Sequence, residues 1–96
     1  MNVETDGEFE QVENSHAGIG LAADFAVKKR SEDTKIKHTL VSVLKAEMKG
    51  MFSPFYRVCM KVAEDGNTQV IQAVVSMDQY SNMKLISWEH STCGGN

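Results

Sequence analysis

The feature that most constrains this chain is a pair of β-rich segments on either side of a tight-turn sequence. The first segment runs over residues 55–63 and the second over residues 68–77, with Asp65-Gly66-Asn67 in the turn between them. Because a short Asp-Gly turn joins antiparallel strands directly, this pattern predicts a β-hairpin. An amphipathic segment, Leu21 to Val27, precedes the hairpin, so one helix is expected to accompany an antiparallel sheet.

Changes in hydrophobic periodicity predict the other strands. Residues 8–13 alternate loosely and predict a short first strand whose apolar members, Phe9 and Val12, face the core. β-Branched residues predict a long second strand from residue 35 to about Glu47, and a fifth strand is expected over residues 83–89. Strict alternation predicts which residues share a side of this strand. One side is expected to hold Ile36, His38, Leu40, Ser42 and Leu44, and the other side Thr39, Val41 and Val43. The fold class is therefore α+β, with one helix across a curled antiparallel sheet of four to five strands, in the order strand, helix, then four strands.

The helix is predicted to follow Asn14 and Ser15, which are good N-cap residues, and to end between Ser31 and Thr34. Its expected buried stripe is Ile19, Ala22, Ala23 and Ala26, with Leu21 and Phe25 adjoining it. Gly18 and Gly20 each weaken the first turns by up to about 1 kcal/mol relative to alanine. We therefore expect packing on the sheet to hold the helix more than its own propensity does.

The composition indicates one domain. A chain of 96 residues has room for a single hydrophobic core, and its 42% apolar and 24% charged residues are ordinary for a globular protein. We expect a flexible arm over residues 1–7, one domain over residues 8–89 and a flexible tail over residues 90–96. The net charge of −3 gives little support to nucleic-acid binding, since the Lys28-Lys29-Arg30 run is interpreted as a solvated helix face. No apolar stretch approaches the roughly 20 residues of a membrane helix, so no membrane contact is expected.

The compartment stays open at this stage. Residues 1–7 are acidic and polar and do not resemble a secretory signal. The protein is expected to be cytoplasmic, or to be secreted if a signal peptide has been removed from it.

Neither catalysis nor metal binding is predicted. His16, His38 and His90 are scattered, and neither cysteine has a base partner nearby in sequence. His90 and Cys93 form at best half of a zinc site, and no phosphate loop or dinucleotide motif indicates a cofactor. Cys59 lies in the third predicted strand and Cys93 follows the fifth. Because strands two apart in a sheet are about 9–10 Å apart, both thiols are predicted to be free.

The predicted meander brings three segments to one edge. Successive hairpins alternate between the ends of a sheet, so the loops at residues 49–54 and 78–82 share one end while the Asp65-Gly66 turn lies at the other. The arm ahead of the first strand also starts at the loop end. This edge is the expected binding surface.

The ordered series of motifs resembles the cystatins, in particular the plant cystatins (phytocystatins). Residues 7–12 resemble the Gly-x-Trp-x-x-Ile opening of that family, and residues 21–27 resemble its Leu-Ala-x-Phe-Ala-Val helix with one extra residue. Residues 43–47 resemble the Val-Val-Lys-x-Glu segment that precedes its first loop, and the later strands follow in family order. The resemblance covers about residues 7–89 and implies a cystatin-like fold.

The resemblance also implies a function and a set of contact residues. Cystatins are reversible, non-covalent inhibitors of papain-like (C1) cysteine proteases, and they wedge an N-terminal arm and two hairpin loops into the active-site cleft. Carried onto this sequence, the protease-binding residues are Gly7, Lys49, Gly50, Met51, Phe52, Ser53, Gln79 and Tyr80. Lys49 to Ser53 replaces the family Gln-Val-Val-Ala-Gly loop, and Gln79-Tyr80 stands where the family has Pro-Trp. No catalytic residue, metal or cofactor is implied.

Several alternatives remain open from sequence. The altered first loop favours a cystatin-fold binding module that has lost protease inhibition. Met51 and Phe52 could instead fold back over the sheet edge, since exposed apolar pairs usually find cover. Trp88 is expected to pack in the core. The protein is expected to be a monomer or a domain-swapped dimer, with the first loop as the hinge.

Overall fold

The computed structural model describes residues 9–93 and confirms the α+β class and the order of elements. The elements are β1 (Glu10–Gln11), α1 (Ala17–Thr34), β2 (His38–Lys49), β3 (Phe55–Glu64), β4 (Asn67–Met77) and β5 (Met83–His90). The strands form one antiparallel sheet in the order β1-β2-β3-β4-β5. Helix α1 lies across one face of the sheet and contacts all four of the longer strands. We call the opposite face, which α1 does not cover, the outer face.

The predicted hairpin is present. Glu64 pairs with Asn67, so a two-residue turn joins β3 to β4. Asp65 and Gly66 have φ angles of 53° and 90°. Positive φ at both central residues is the geometry that matches the twist of two-residue hairpins, and Asp-Gly adopts it at low cost.

The core lies between α1 and the inner face of the sheet. The predicted helical stripe is confirmed, since Ile19, Ala22, Ala23 and Ala26 are completely buried. Small alanine side chains let the helix approach the sheet closely, and the sheet supplies the larger residues Tyr56, Val58, Met60, Val62, Ile71 and Val75. Trp88 packs against this cluster as predicted, whereas Leu21 is exposed.

The helix begins later than predicted. Its N-cap is His16, whose Nδ1 accepts a hydrogen bond of 3.0 Å from the amide of Gly18. Asn14 is used elsewhere, because its side-chain amide donates to the carbonyl of Val43 across the edge of β2. The C-terminal end is confirmed at Thr34, where Lys35 adopts φ 64° and donates its amide to the carbonyl of Ser31.

Strand β2 does not keep the predicted alternation. Its pairing with β3 is shifted between Leu40 and Ser42 and again between Val43 and Lys45. Each shift places two residues of β2 opposite one residue of β3, as in a β-bulge, and so reverses the inward and outward positions. The residues that pack into the core are therefore His38, Leu40, Val43, Ala46 and Met48. The prediction that Ser42 and Leu44 share a side with Leu40, and Val43 with Val41, is wrong.

The two cysteines are joined, so the prediction of free thiols is wrong. Cys59 and Cys93 form a disulfide with their Cα atoms 6.0 Å apart. The spacing argument holds for residues inside strands, but Cys93 lies beyond the end of β5. After His90 the amide of Ser91 donates to the carbonyl of Val70, and the chain then turns back over β4 towards β3. Residues 91–93 of the predicted tail are therefore anchored, while residues 94–96 lie outside the described chain.

The end of the sheet next to the Asp65-Gly66 turn is closed by a chain of polar side chains. His90 hydrogen-bonds Gln69, and Gln69 donates in turn to Glu64. His38 is buried beside them, and its Nε2 lies 3.7 Å from Glu64 Oε2. The centroid of the His38 ring is 5.5 Å from that of the Trp88 ring. These contacts link β2, β3, β4 and β5 at one end. Within residues 9–93, no helical segment combines the length and apolar character needed to cross a bilayer.

Candidate protein-binding edge

The loops predicted to share one end of the sheet do share it. We define the loop edge as the first loop (residues 50–54), the second loop (residues 78–82) and the start of the described chain at Phe9. The carbonyl of Pro54 accepts a hydrogen bond of 2.9 Å from the amide of Met77, which ties the two loops side by side. Strand β1 reaches the same edge because Glu10 pairs with Met48, next to the last residue of β2.

The first loop carries exposed apolar side chains. Met51 is 83% exposed and Phe52 is 81% exposed, so this pair does not fold back over the sheet edge. Gly50 begins the loop with φ 90°, a conformation that glycine adopts readily and that strains other residues. Pro54 is buried at the exit of the loop and leads directly into β3. The loop is therefore held at both ends while its apolar tip points away from the core.

The second loop is organised around one carboxylate. Asp78 Oδ1 accepts hydrogen bonds from the amides of Tyr80 and Asn82 at 2.8 and 2.9 Å, and Asp78 Oδ2 accepts from the Asn82 side chain at 3.1 Å. Backbone bonds from Ser81 to Asp78 and from Asp78 to Asn82 close the same turn, with Ser81 at φ 69°. Tyr80 stands at the tip and is 77% exposed, and Gln79 beside it is also exposed.

These bonds favour the ionised form of Asp78. The pKa of its carboxyl lies below the ordinary value of 3.8, chiefly because the backbone amide and the side-chain amide of Asn82 donate to it, with a smaller contribution from Tyr80. The carboxylate is a structural acceptor, as in an Asx turn. The loop therefore presents Tyr80 from a preformed turn.

Lys49 and Phe9 meet on the outer face beside the loops. The ammonium of Lys49 lies 5.0 Å from the centroid of the Phe9 ring and 5.3 Å from that of Phe55. The guanidinium carbon of Arg57 lies 4.2 Å from the Phe9 centroid. The prediction that Phe9 is a core residue is therefore wrong. The prediction for Val12 is confirmed, because Val12 packs against the core. Their spacing of three residues already indicates opposite faces, because side chains in a strand alternate with a period of two.

The predicted site residues thus divide into three groups. The exposed apolar group on the two loops comprises Met51, Phe52 and Tyr80, with Gly50, Ser53 and Gln79 next to them in the loop backbone. Lys49 turns towards the aromatic rings of the outer face. Gly7 lies outside the described residues.

Sequence reasoning missed Asp78, Arg57 and Phe9 as residues that organise this edge. The signal for Asp78 was present, since an aspartate that begins a short polar loop commonly accepts from amides two residues further on. The contact between Phe9 and Arg57 had no local signal, because it depends on the registers of β1 on β2 and of β2 on β3.

The chemistry of the loop edge is that of a contact surface. Three large side chains capable of burial in a partner stand on two braced loops, and a cation-aromatic cluster borders them. Among residues 9–93, no three His, Cys, Asp or Glu side chains lie close enough together to share a metal ion.

Comparison of the sequence with protein families and with curated proteins finds no relative. A scan against models of protein families finds no match, and a search of curated proteins finds no significantly similar sequence. The structure itself defines the class: an α+β protein with one helix on a five-stranded antiparallel meander and an apolar edge made by two loops.

Proposed function

We propose that this protein has a cystatin-like fold and is a reversible, non-covalent inhibitor of papain-like cysteine proteases. In this proposal it is a binding protein and not a catalyst. The N-terminal arm and the two loops enter the active-site cleft of the protease side by side, and their bulk occupies the space that a substrate would take. No bond forms or breaks in this mode of inhibition.

The observation that carries the proposal is the arrangement of Met51, Phe52 and Tyr80. All three are more than three-quarters exposed, and the bond between Met77 and Pro54 places their loops next to each other. Soluble proteins seldom leave a cluster of large apolar side chains at one edge unless that edge meets a partner. Each buried Å² of such surface contributes about 25 cal/mol before the cost of association is subtracted.

The braced loops add to the argument. The Asp78 turn and the buried Pro54 hold the two tips in place before any partner arrives. Less conformational freedom is then lost on binding, and more of the apolar burial appears as affinity. A wedge that enters a narrow cleft needs this kind of preorganisation.

Residual-activity titration against papain tests the proposal. The expected result is inhibition at or below micromolar concentration. Phe52→Ala and Tyr80→Ala should each weaken inhibition by about tenfold or more, as is typical of buried aromatic anchors. Ile36→Ala is the matched control. Ile36 is an exposed apolar residue two positions before the start of β2, at the end of the sheet opposite the loop edge, so its substitution should leave inhibition unchanged. Absence of inhibition against papain-like enzymes at micromolar concentration would exclude the proposal.

A second candidate function is a binding module that uses the same edge on another protein. The bulk of Phe52 favours it, because a large side chain at the tip of the first loop hinders the close backbone approach that a narrow cleft requires. Calorimetry with papain whose thiol is blocked separates the two candidates. Absence of binding to papain would favour the module, because its partner is a protein other than a papain-like protease, whereas binding together with loss of peptide hydrolysis by active papain would favour the inhibitor.

A further inference from the structure

The outer face of the sheet is basic, although the chain as a whole carries a net charge of −3. Alternate residues of β3 pack in the core, so the residues between them point outward. Residues that pair across antiparallel strands share a face, and the pairing therefore extends this outward set to β2, β4 and β5. Within residues 9–93, the cations on the outer face are Lys45, Lys49, Arg57, Lys61 and Lys84, and the carboxylates are Glu47 and Glu89. Half of the ten lysine and arginine residues of the chain thus lie on one face.

Three of these cations are exposed, namely Lys45, Lys61 and Lys84. The ammonium of Lys45 lies 3.9 Å from a carboxylate oxygen of Glu47, and the same carboxylate accepts a hydrogen bond of 2.7 Å from Arg57. Lys61 and Lys84 make no ion pair within residues 9–93. The face therefore presents positive charge that its own carboxylates do not neutralise.

The exposed cations occupy three strands and so span the width of the sheet. Lys45 of β2 stands opposite Cys59, and Lys61 follows Cys59 by two residues on β3. Lys84 of β5 stands opposite Ser76 of β4. Strands lie about 4.8 Å apart and every second residue of a strand about 7 Å further along, so the backbone positions of Lys45 and Lys61 are on the order of 8 Å apart. Positive charge at intervals of this kind suits a partner whose own charge recurs along its length.

The chemistry of the face favours a linear polyanion over a folded protein. Most of its cations are lysines, whose ammonium groups act as point charges and do not impose the planar geometry of arginine. The cores of protein–protein interfaces are depleted of lysine and enriched in aromatic residues. A linear polyanion requires only recurring positive charge, and its chain can follow the surface of the sheet.

The disulfide lies on the same face and favours an acidic polysaccharide over a nucleic acid. Cys59 is an outward residue of β3, and it is bonded to Cys93. Disulfides persist in oxidising surroundings such as the extracellular space, where acidic polysaccharides are the usual linear polyanions. Proteins that bind single-stranded nucleic acids also stack bases on aromatic rings. The Phe9 ring of this face is already engaged, because the guanidinium carbon of Arg57 lies 4.2 Å from its centroid.

We propose that the outer face is a second binding surface, on which Lys45, Lys61 and Lys84 hold a linear acidic polysaccharide. Their ammonium groups contact the carboxylate or sulfate groups that recur along such a chain, and Lys49 and Arg57 add to the positive potential of the face. This inference does not depend on the proposed function, because the outer-face lysines are distinct from the exposed apolar residues of the loop edge.

Heparin is the probe in the test, which uses the full chain. The triple variant Lys45→Gln/Lys61→Gln/Lys84→Gln removes the exposed cations of the outer face. Isothermal titration calorimetry measures the dissociation constant for heparin at about 50 mM and about 200 mM salt. Amide chemical shifts of the unmodified chain, recorded with and without heparin, locate the contact independently of any substitution.

A second triple variant, Lys28→Gln/Lys29→Gln/Lys35→Gln, is the matched control. These three lysines are also exposed, and they lie in α1 or at its C-cap, on the other side of the sheet. The two variants therefore change the net charge equally and differ only in where the charge is removed.

The expected result is about a tenfold loss of heparin affinity in the outer-face variant, in keeping with three exposed ion pairs, and a loss of less than about threefold in the control. The higher salt concentration should weaken heparin binding more for the unmodified chain than for the outer-face variant, because fewer ion pairs remain to be screened in the variant. The amide shifts should be concentrated in β3 and β5 and be absent from α1.

Equal losses in the two triple variants would overturn the inference, because the attraction would then come from charge in general. Absence of heparin binding at the lower salt concentration would also overturn it, as would amide shifts confined to α1. Tighter binding of single-stranded DNA than of heparin, at equal charge per chain, would overturn the assignment to a polysaccharide. Urea midpoints verify that each variant is folded, and the amide shifts of the unmodified chain decide the location of the contact if one is not.

Discussion

At the scale of single residues, the two glycines at the start of α1 have different roles that their sequence context does not reveal. A Cβ atom added at Gly18 would lie 2.6 Å from Cζ and 2.8 Å from Cε1 of the buried Tyr56 ring. A Cβ added at Gly20 would meet nothing within 4 Å. Gly18 is thus required for close packing of the helix on β3, while Gly20 only weakens the helix.

Opposite changes in stability are therefore expected from two identical substitutions. Gly18→Ala should lower the free energy of unfolding by about 1–3 kcal/mol, because the Tyr56 ring must shift within a packed core. Gly20→Ala should raise it by about 0.5–1 kcal/mol through the better helix propensity of alanine. Urea unfolding monitored by circular dichroism measures both. Two shifts of the same sign would contradict the packing described for Gly18.

The protonation state of Asp78 affects the stability of the second loop. Its pKa is lowered by hydrogen bonds from Asn82 and Tyr80, so the folded protein favours the carboxylate. The stabilisation is complete at pH values above the ordinary value of 3.8 and is lost as the pH falls through the lower folded value. Acid should thus loosen the loop that presents Tyr80.

Asp78→Asn tests this dependence. The side-chain oxygen of the new asparagine can still accept hydrogen bonds from the loop amides. The negative charge is lost, and so is the second oxygen, which accepts a hydrogen bond from the Asn82 side chain. The unmodified chain should be more stable than the variant near neutral pH, and the difference should shrink as the pH is lowered below 3.8. The measurement is the difference in unfolding free energy between the two proteins over a pH series. A difference that stays constant into strong acid would exclude the carboxylate as its cause.

At the scale of elements, the strands were predicted well by composition and the details of β2 were not. Alternation, β-branched enrichment and turn residues together located every strand, because these signals are local. The two register shifts in β2 have no local signal, since a bulge is defined by the pairing with β3. Alternation therefore correctly placed His38 and Leu40 together and then failed from Ser42 onward.

Val41 and Val43 offer a direct check of those register shifts. Strict alternation gives both residues the same environment, but Val41 is 54% exposed while Val43 packs against the core. Val43→Thr should lower the unfolding free energy by about 1–3 kcal/mol, because it buries a hydroxyl without a partner. Val41→Thr should change it by less than about 0.5 kcal/mol. Thermal or urea unfolding distinguishes the two, and equal costs would argue for the unshifted strand.

At the scale of the whole molecule, the end of the sheet at which each loop lies could be predicted, because hairpins alternate between the two ends of a meander. The first and second loops therefore came together as expected, whereas the sequence left open whether Met51 and Phe52 are exposed or fold back over the sheet edge. The Cys59–Cys93 bridge could not be predicted, because it depends on the path of three residues beyond β5. Local pattern reveals the order of elements but not how a terminal segment crosses a sheet.

Removing the bridge should weaken the whole fold. Its two cysteines are separated by 34 positions in sequence, and closing a loop of that size stabilises a protein by roughly 3–4 kcal/mol in the chain-entropy account. Cys93→Ser should lower the urea midpoint, and a reductant should bring the unmodified chain to the same value. The variant itself should not respond to reductant. Two free thiols in the untreated protein by mass spectrometry would contradict the bridge.

The bridge also determines what happens when the backbone is cut. Residues 59–93 form a closed covalent ring that includes the Asp65-Gly66 turn and the second loop, while the first loop lies outside it. A nick beside Tyr80 would leave both fragments joined through sulfur. A nick beside Phe52 would leave the upstream fragment attached by non-covalent contacts alone. Cleavage of the backbone in the second loop should therefore be tolerated far better than cleavage in the first loop.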